Sequence, residues 1–255
     1  MSLAPFDAAL LFAAAIAAGF ANVVAGGGSL LTMPLLVLIG LPEAVANGSV
    51  RVAILVQNLA AVGRYHRRGR LDWTAARRLA APTVLGGIGG AWLANQIDDA
   101  SFRTILAWVV VAAALVVALP FQRWLGRAQA KGVAQPSLVL VWPVMITVGC
   151  FGGFVQAGVG YVLLAALTLV MGIGLVDANI LKVVLVLAYT PFAIALFAGH
   201  GHIDAVAAGV LAAGQAIGAW IGAGVVIQRG ARLIRAVLVV AAVASALALL
   251  GVFRR

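Results

Sequence analysis

The amino-acid sequence predicts an all-α polytopic membrane protein built from two related halves, on the strength of three observations. The 255 residues are 64% hydrophobic and only 9% charged, a composition far from that of soluble globular domains. Long apolar runs alternate with short charged or glycine-rich breaks, and no polar stretch is long enough for a domain outside the bilayer. The second half also repeats the outline of the first. We therefore expect one transmembrane domain over residues 1–255, in the cell membrane of its host.

Ten apolar segments follow one another along the chain. They lie at about 5–25, 29–40, 44–64, 73–95, 102–120, 137–155, 159–174, 178–198, 204–226 and 233–253. The second has 12 residues, and as a helix it would span about 18 Å of a hydrocarbon core of about 30 Å. It is therefore predicted to be a half-helix or a re-entrant arm. We expect about eight to ten transmembrane segments in total, with the first one retained, because no cleavage signal precedes it.

The repeat is visible residue by residue. At one offset, Gly19, Phe20, Asn22, Gly26, Gly40, Leu41, Glu43 and Ala44 match Gly153, Phe154, Gln156, Gly160, Gly174, Leu175, Asp177 and Ala178. After a two-residue gap, Gly69, Asp72, Gly86, Gly90 and Arg103 match Gly201, Asp204, Gly218, Gly222 and Arg235. We expect repeat one at about 5–120, repeat two at about 137–253, and a linker at about 121–136.

Charged loops predict how the halves are oriented. The net charge of +10 would suit nucleic acid, but the basic residues gather in short loops, where the positive-inside rule and anionic lipid account for them. Arg64, Arg67, Arg68, Arg70, Arg77 and Arg78 crowd one loop, whereas its counterpart His200 to Asp204 has no Lys or Arg. Equivalent loops of the two halves are therefore expected on opposite sides of the membrane, which is an inverted-topology repeat. The basic linker is then expected to be cytoplasmic, and both termini are expected outside. The lipid bilayer, not nucleic acid, is the expected partner.

Glycine-broken segments mark the candidate binding site. Gly26, Gly27 and Gly28 free the backbone from helical geometry, and lipid tolerates loosened backbone only where protein or a water-filled cavity surrounds it. In carriers with inverted repeats, the substrate lies near the midplane, between broken helices of the two halves. Gly160 in the second half takes part in the equivalent break.

Four motifs carry a family resemblance: AGGGSLLTMPLL, GLPEAVANGS, RYHRRGRLDW and the weaker second copy GVGYVLLAALTLVMGIGLVDAN. The chain resembles the TauE/SafE family of sulfite and organosulfonate exporters over essentially its whole length. The resemblance implies a secondary carrier of small sulfur-containing or carboxylated anions, with no ATPase and no cofactor. Lys182 is a departure, because the family commonly has small hydroxyl residues near that point.

Two basic residues in apolar helices are the strongest candidates for binding an anion. Lys182 and Arg51 lie in equivalent helices of the two halves, and a charge there is costly unless it is paired or hydrated. We expect both to converge on one anionic substrate, which would balance them. The alternative for Lys182 is an interfacial lysine that extends to water.

Polar residues near the breaks and along the two helices complete the predicted set. Asn22 and Gln156 stand at equivalent places before the breaks, and Ser29 is expected to cap the half-helix after Gly28. Helical spacing adds Asn47 and Asn58 beside Arg51, and Tyr189 beside Lys182. The alternative is that amides and hydroxyls only join helices. Substrate-binding candidates are Asn22, Gly26, Gly27, Gly28, Ser29, Asn47, Arg51, Asn58, Gln156, Gly160, Lys182 and Tyr189, with Glu43 and Asp177 as candidates for proton coupling.

Other chemistries find little support. His66, His200 and His202 form no metal-ligand pattern, the glycine runs match no nucleotide-binding motif, and no nucleophile with a base suggests an enzyme. We expect no metal and no cofactor.

The expected function is secondary transport of a small anion by alternating access. An anion leaving a cell that is negative inside gains about 2.3 kcal/mol per charge per 100 mV, so export is favoured. An anion channel and a structural subunit of a membrane complex are the alternatives, and a homo-oligomer is left open.

Overall fold

A computed structural model of the chain describes residues 5–98, 100–102, 104–105, 108 and 137–249. Every regular element within these ranges is helical, which confirms the predicted all-α class. The predicted segment at 102–120 lies largely outside the described residues. The predicted linker at 121–136, Arg103 and the last residues of the predicted segment at 233–253 lie entirely outside them.

Eight helices have both of their bounds within the described part of the chain, and further helical residues lie at 100–102, 104–105 and 108. The eight are α1 (Pro5–Val24), α2 (Ser29–Leu38), α3 (Glu43–Arg67), α4 (Trp73–Ala94), α5 (Leu138–Phe154), α6 (Val159–Ala165), α7 (Leu175–Gly199) and α8 (Ala205–Leu249). A π-helical turn, Ala166–Val170, extends α6. Gly230 interrupts α8 with a non-helical φ of 55°, so two predicted segments meet there at a kink.

Four stretches of the described chain are long and apolar enough to cross a bilayer. They are Pro5–Val24, Glu43–Arg67, Leu175–Gly199 and Ala205–Ile234. The helix predicted to be a half-span, Ser29–Leu38, is indeed short, and so are Val139–Phe154 and Val159–Val170. The total of eight to ten transmembrane segments stays a prediction.

Glycines with left-handed backbone recur at matching places in the two halves. The pairs, each separated by 132 residues, are Gly26 and Gly158, Gly40 and Gly172, and Gly69 and Gly201. Glycine is favoured at such positions because it has no Cβ to clash. The sequence comparison had paired Gly26 with Gly160 and Gly40 with Gly174, whereas the structure matches them with Gly158 and Gly172. The reason is conformational, since Gly160 lies inside α6, and Gly174 has a φ of −56° and directly precedes α7.

Two helix pairs pack closely along faces that carry glycines, which are common where helices meet in membrane proteins. α1 lies along the first part of α8, and α4 lies along α5. A methyl group at Gly218 or Gly86 would stand only 2.0 Å from the carbonyl oxygen of Ile16 or Ile146, respectively. Backbone therefore approaches backbone in both pairs, with no room for a larger residue.

α3 and α7 run antiparallel through the middle of the bundle. Near the start of α3, Ser49 Oγ accepts a hydrogen bond from the backbone N–H of Asp204, which follows α7, at 2.8 Å. Beyond the end of α3, Arg70 lies 3.8 Å from Asp177 in the first turn of α7. The start of α3 therefore lies beside the end of α7, and the end of α3 lies beside the start of α7.

Two aspartates cap helices. Asp72 Oδ1 accepts from the N–H groups of Thr74 and Ala75 at the start of α4, and Asp204 Oδ1 accepts from that of Ala207 at the start of α8. The hydrogen bond from Ala207 holds the pKa of the Asp204 carboxyl below its ordinary value.

Replacing Gly160 by alanine should destabilise the protein by about 1–3 kcal/mol, because the new methyl group would lie 2.3 Å from Gly26 Cα. Gly63 is the matched control, since its site in α3 is open and alanine there should stabilise the helix by about 0.5–1 kcal/mol. Thermal unfolding of the purified variants in detergent measures both. Equal melting temperatures would contradict the close contact at the break.

Candidate functional site

The two helix breaks are in direct contact. A methyl group at Gly26 would lie 2.6 Å from Gly160 Cα, so the two backbones touch. Gly27 faces the hydroxyl of Tyr161, and Gly28 faces the carbonyl oxygen of Ala18. All of these residues except Ala18 come from the breaks or the helices that follow them. The loosened backbone is therefore enclosed by protein, which is one of the two environments that a membrane allows.

Arg51 is fully buried and binds the end of a helix in the other half. Its exposed fraction is 0%, and its guanidinium lies 4.5 Å from the ring centre of Phe197. The guanidinium donates to the carbonyl oxygens of Gly152 (3.2 Å), Gly153 and Phe154 (3.2 Å), to Asn47 Oδ1 (3.2 Å) and to Gln156 Oε1 (3.3 Å). Those three carbonyls are the last ones of α5. We call Arg51 with these acceptors the Arg51 cluster.

Lys182 makes the corresponding arrangement with the first half. Its exposed fraction is 2%, so it does not reach water as an interfacial lysine would. Its Nζ donates to the carbonyl oxygen of Asn22 at 3.0 Å and to Asn179 Oδ1 at 2.8 Å. Asn179 in turn donates to the carbonyl oxygen of Val23 at 2.9 Å. These residues, near the end of α1, form the Lys182 cluster.

Each cation meets the carbonyl end of a helix that stops inside the protein. The last carbonyls of a helix have no partner within it, and the helix dipole gives that end a partial negative charge. A buried cation satisfies these carbonyls, and the carbonyls offset part of its desolvation cost. Among the described residues, the oxygens that accept hydrogen bonds from Arg51 and Lys182 are all neutral.

The two cations do not share one site, contrary to the expected convergence. Arg51 lies over Phe197, which follows Lys182 by 15 residues on α7, or about 22 Å of helix. Long side chains shorten this gap but do not close it. The cause is the antiparallel arrangement of α3 and α7, which sets equivalent positions at opposite depths.

Amide and hydroxyl groups extend both clusters toward the middle. Tyr189 Oη donates to Gln156 Oε1 at 3.0 Å, beside Arg51. Asn22 Nδ2 donates to Gln57 Oε1 at 3.2 Å, and Gln57 Nε2 donates to Asn58 Oδ1 at 3.2 Å. Asn22 and Gln156 therefore have similar roles, because each links a break to the long central helix of one half.

The predicted cap by Ser29 is wrong. Gly28 occupies the N-cap of α2 without a side-chain hydrogen bond, and Ser29 is the first helical residue. Its hydroxyl instead donates to the carbonyl oxygen of Gln156 at 3.4 Å. This carbonyl oxygen belongs to the other half of the chain, which local spacing could not reveal.

The candidate carboxylates lie in different surroundings. Glu43 is buried in the first turn of α3. Asp177 is exposed and faces Arg70, so the structure does not bring it to Lys182. Within the described ranges, no group of three or more His, Cys, Asp or Glu side chains could hold a metal ion.

Three residues of the clusters were missed by sequence reasoning. Asn179 precedes Lys182 by three residues, so helical spacing could have suggested it. Gln57 adjoins the predicted Asn58, but adjacent helical positions do not face each other, so spacing gave no signal for it. Phe197, whose ring lies beneath Arg51, gives no signal of its own in the sequence.

A cavity of about 400 Å³ opens beside the arginine-rich segment at residues 64–73, between α3 and α4, which we call the basic turn. Its rim carries Arg70, Arg78 and Asp177, and its apolar wall includes Ile180 and Leu181. Neither Arg51 nor Lys182 is among the residues that line this cavity.

Comparison with known proteins gives a consistent result. A family model described as "Sulfite exporter TauE/SafE" matches residues 11–249. A probable membrane transporter protein of Haemophilus influenzae is 28% identical over 234 residues, covering 91% of this chain and 90% of its own length. Similar proteins are the probable membrane transporter ORF9 of Sinorhizobium sp, 26% identical over 247 residues (95% and 92% covered), and YfcA of Escherichia coli K12, 26% identical over 238 residues (93% and 87%). No solved structure matches the chain.

Replacing Arg51 by methionine should lower the stability by at least about 3 kcal/mol, because several buried oxygens lose their donor at once and each costs about 1–3 kcal/mol. The control is Arg70→Met, which removes only an exposed ion pair and should cost less than about 1 kcal/mol. Thermal unfolding in detergent compares them. Similar losses in both variants would rule out the capping role of Arg51.

Proposed function

The chain belongs to the sulfite exporter TauE/SafE family of membrane transporters, and we propose that its cargo is a small sulfur-containing or organic anion. Sulfite, organosulfonates and small carboxylates are the candidate classes. The family description supports the first two, and the charge of the protein interior supports an anion of any of these kinds.

The observation that carries this proposal is the pair of buried cations with neutral partners. Arg51 and Lys182 together bring two positive charges into the interior, and carbonyl ends offset each only in part. Charges inside a membrane protein are costly and mark substrate pathways. A transported anion that binds each cluster in turn would lower that cost for as long as it is bound.

We further propose an inverted repeat that works by alternating access. Three features support it: the left-handed glycines spaced by 132 residues, the matching helix pairs α1 with α8 and α5 with α4, and the exchange of cations between halves. Antiparallel α3 and α7 then place one cluster toward each side of the membrane.

A difference between the two ends of the bundle supports the same mechanism. Near the start of α3, a methyl group at Gly48 would lie only 1.8 Å from the carbonyl oxygen of His202, so the turn after α7 is packed against α3. Near the start of α7, Ile180 and Leu181 line the cavity of about 400 Å³ instead. We interpret the first end as closed and the second, beside the basic turn, as open.

Direction follows from the membrane potential. If the basic turn is cytoplasmic, the open end faces the cell interior, and outward movement of an anion is downhill by about 2.3 kcal/mol per charge per 100 mV. Export therefore needs no coupled ion. Proton coupling through Glu43 or Asp177 would be required only for uptake.

Transport mode is decided by kinetics. Saturating flux with counter-transport of labelled substrate is expected for a carrier, whereas single-channel currents would identify an anion channel. A structural subunit would show neither.

The proposed cargo is tested by a thermal screen of the purified protein with sulfite, sulfoacetate, isethionate and acetate. A ligand that binds only the folded protein raises its melting temperature by mass action. At least one of these anions should raise the melting temperature. An unchanged melting temperature with all four would contradict the proposal.

Lys182→Met should lower the flux of the best anion into proteoliposomes by about ten-fold or more, since removing one charged hydrogen bond costs about 1.5–3 kcal/mol. Arg68→Gln is the control, because it removes an exposed positive charge outside both clusters. Equal flux in Lys182→Met and wild type would exclude the role assigned to Lys182.

A further inference from the structure

Three buried donor groups on α3 have no hydrogen-bond acceptor among the described residues. They are Arg51 Nε, Asn58 Nδ2 and Tyr65 Oη. None of the three side chains is more than 2% exposed. Leaving a buried polar group without a partner costs about 1–3 kcal/mol, so such groups are rare in native proteins.

The three groups lie on one face of the helix. Residues 51, 58 and 65 are spaced by seven, so each is rotated from the last by only about 20° and advanced by about 10.5 Å. The stripe is about 21 Å long, more than half the length of α3. We call Arg51, Asn58 and Tyr65 the donor stripe.

The three donor groups all lack a hydrogen-bond acceptor. Asn58 shows this most directly, because its Oδ1 is already bonded to Gln57 while its Nδ2 is not. Arg51 likewise uses both Nη atoms and leaves Nε over. The Tyr65 hydroxyl can also donate. A ligand rich in acceptor oxygens and poor in donors would satisfy each of them.

The stripe begins at the basic turn. Tyr65 lies in the last turn of α3. Its neighbour Arg64 donates to the carbonyl oxygen of Trp220 and lies 5.0 Å from the centre of that ring, while Arg67 lies 5.7 Å from it. Positive charge therefore surrounds the end at Tyr65, and the buried charge of Arg51 lies at the other end.

We propose that the donor stripe is the path of the transported oxyanion between the basic turn and Arg51, with Tyr65 as its first binding group. This inference rests on the proposed function and deepens it, because the predicted site did not include Tyr65. Hydrogen bonds of about 2.8 Å are far shorter than the 10.5 Å step. A small oxyanion such as sulfite therefore binds the groups in succession and not together.

The test is Tyr65→Phe, which removes only the hydroxyl. Sulfite flux into proteoliposomes should fall by about ten-fold, as expected for one lost hydrogen bond of about 1.4 kcal/mol. The melting temperature without anion should stay equal or rise, since the hydroxyl has no acceptor to lose. Thr147→Val is the control for flux, because its exposed hydroxyl bonds only to the Pro143 carbonyl oxygen of its own helix.

A matched substitution calibrates the stability measurement. Tyr189→Phe makes the same chemical change but breaks the hydrogen bond to Gln156, so it should lower the melting temperature while Tyr65→Phe does not. A drop in Tyr65→Phe as large as in Tyr189→Phe would overturn the inference, because it would show a hydroxyl bonded within the fold.

The outcomes separate the path from the function. Unchanged sulfite flux in Tyr65→Phe, with an active wild type, would overturn the path and leave the transporter intact. A wild type that moves no sulfite contradicts sulfite as the cargo; the two melting temperatures then still decide whether the Tyr65 hydroxyl is unbonded, as the path requires.

Discussion

The exchange of cations between the two halves is the interaction on which the rest of the structure depends. A helix that stops inside a membrane protein leaves carbonyl oxygens that water cannot reach, and a cation buried there has lost its hydration. Arg51 donates to the last carbonyl oxygens of α5, and Lys182 donates to a carbonyl oxygen near the end of α1. Each half therefore supplies the cation that satisfies a helix end in the other half. Neither arrangement can form until both halves are in place.

This exchange also leaves the interior positively charged. A carboxylate partner would neutralise either cation permanently, whereas the carbonyl ends carry only about half a charge each. A net field therefore persists around the helix breaks and along α3. Such a field would attract the anion that we propose as the cargo.

Much of the fold could be predicted because it depends on local properties. The length of the apolar runs indicated the helices, and the glycine pattern indicated the breaks at Gly26 and next to Gly160, where the structure has the left-handed residue at Gly158. The cap at Asp72 follows from a carboxylate just ahead of a helix. Ser29 was expected to cap α2 in the same way, but α2 begins one residue earlier than that cap requires, with Gly28 at the N-cap. The exposed position of Asp177 likewise depends on how α7 meets the basic turn, which spacing along one helix does not contain.

The sequence by itself determined which segments enter the membrane, where they break and which positions carry charge, because transfer from water to lipid acts on each segment separately. Only the tertiary structure decided what those charges bind. Arg51 reaches acceptors more than 100 residues away, and Lys182 reaches one 160 residues away. Antiparallel packing of α3 and α7 then set the two cations at different depths, a consequence of helix direction that no residue pattern records.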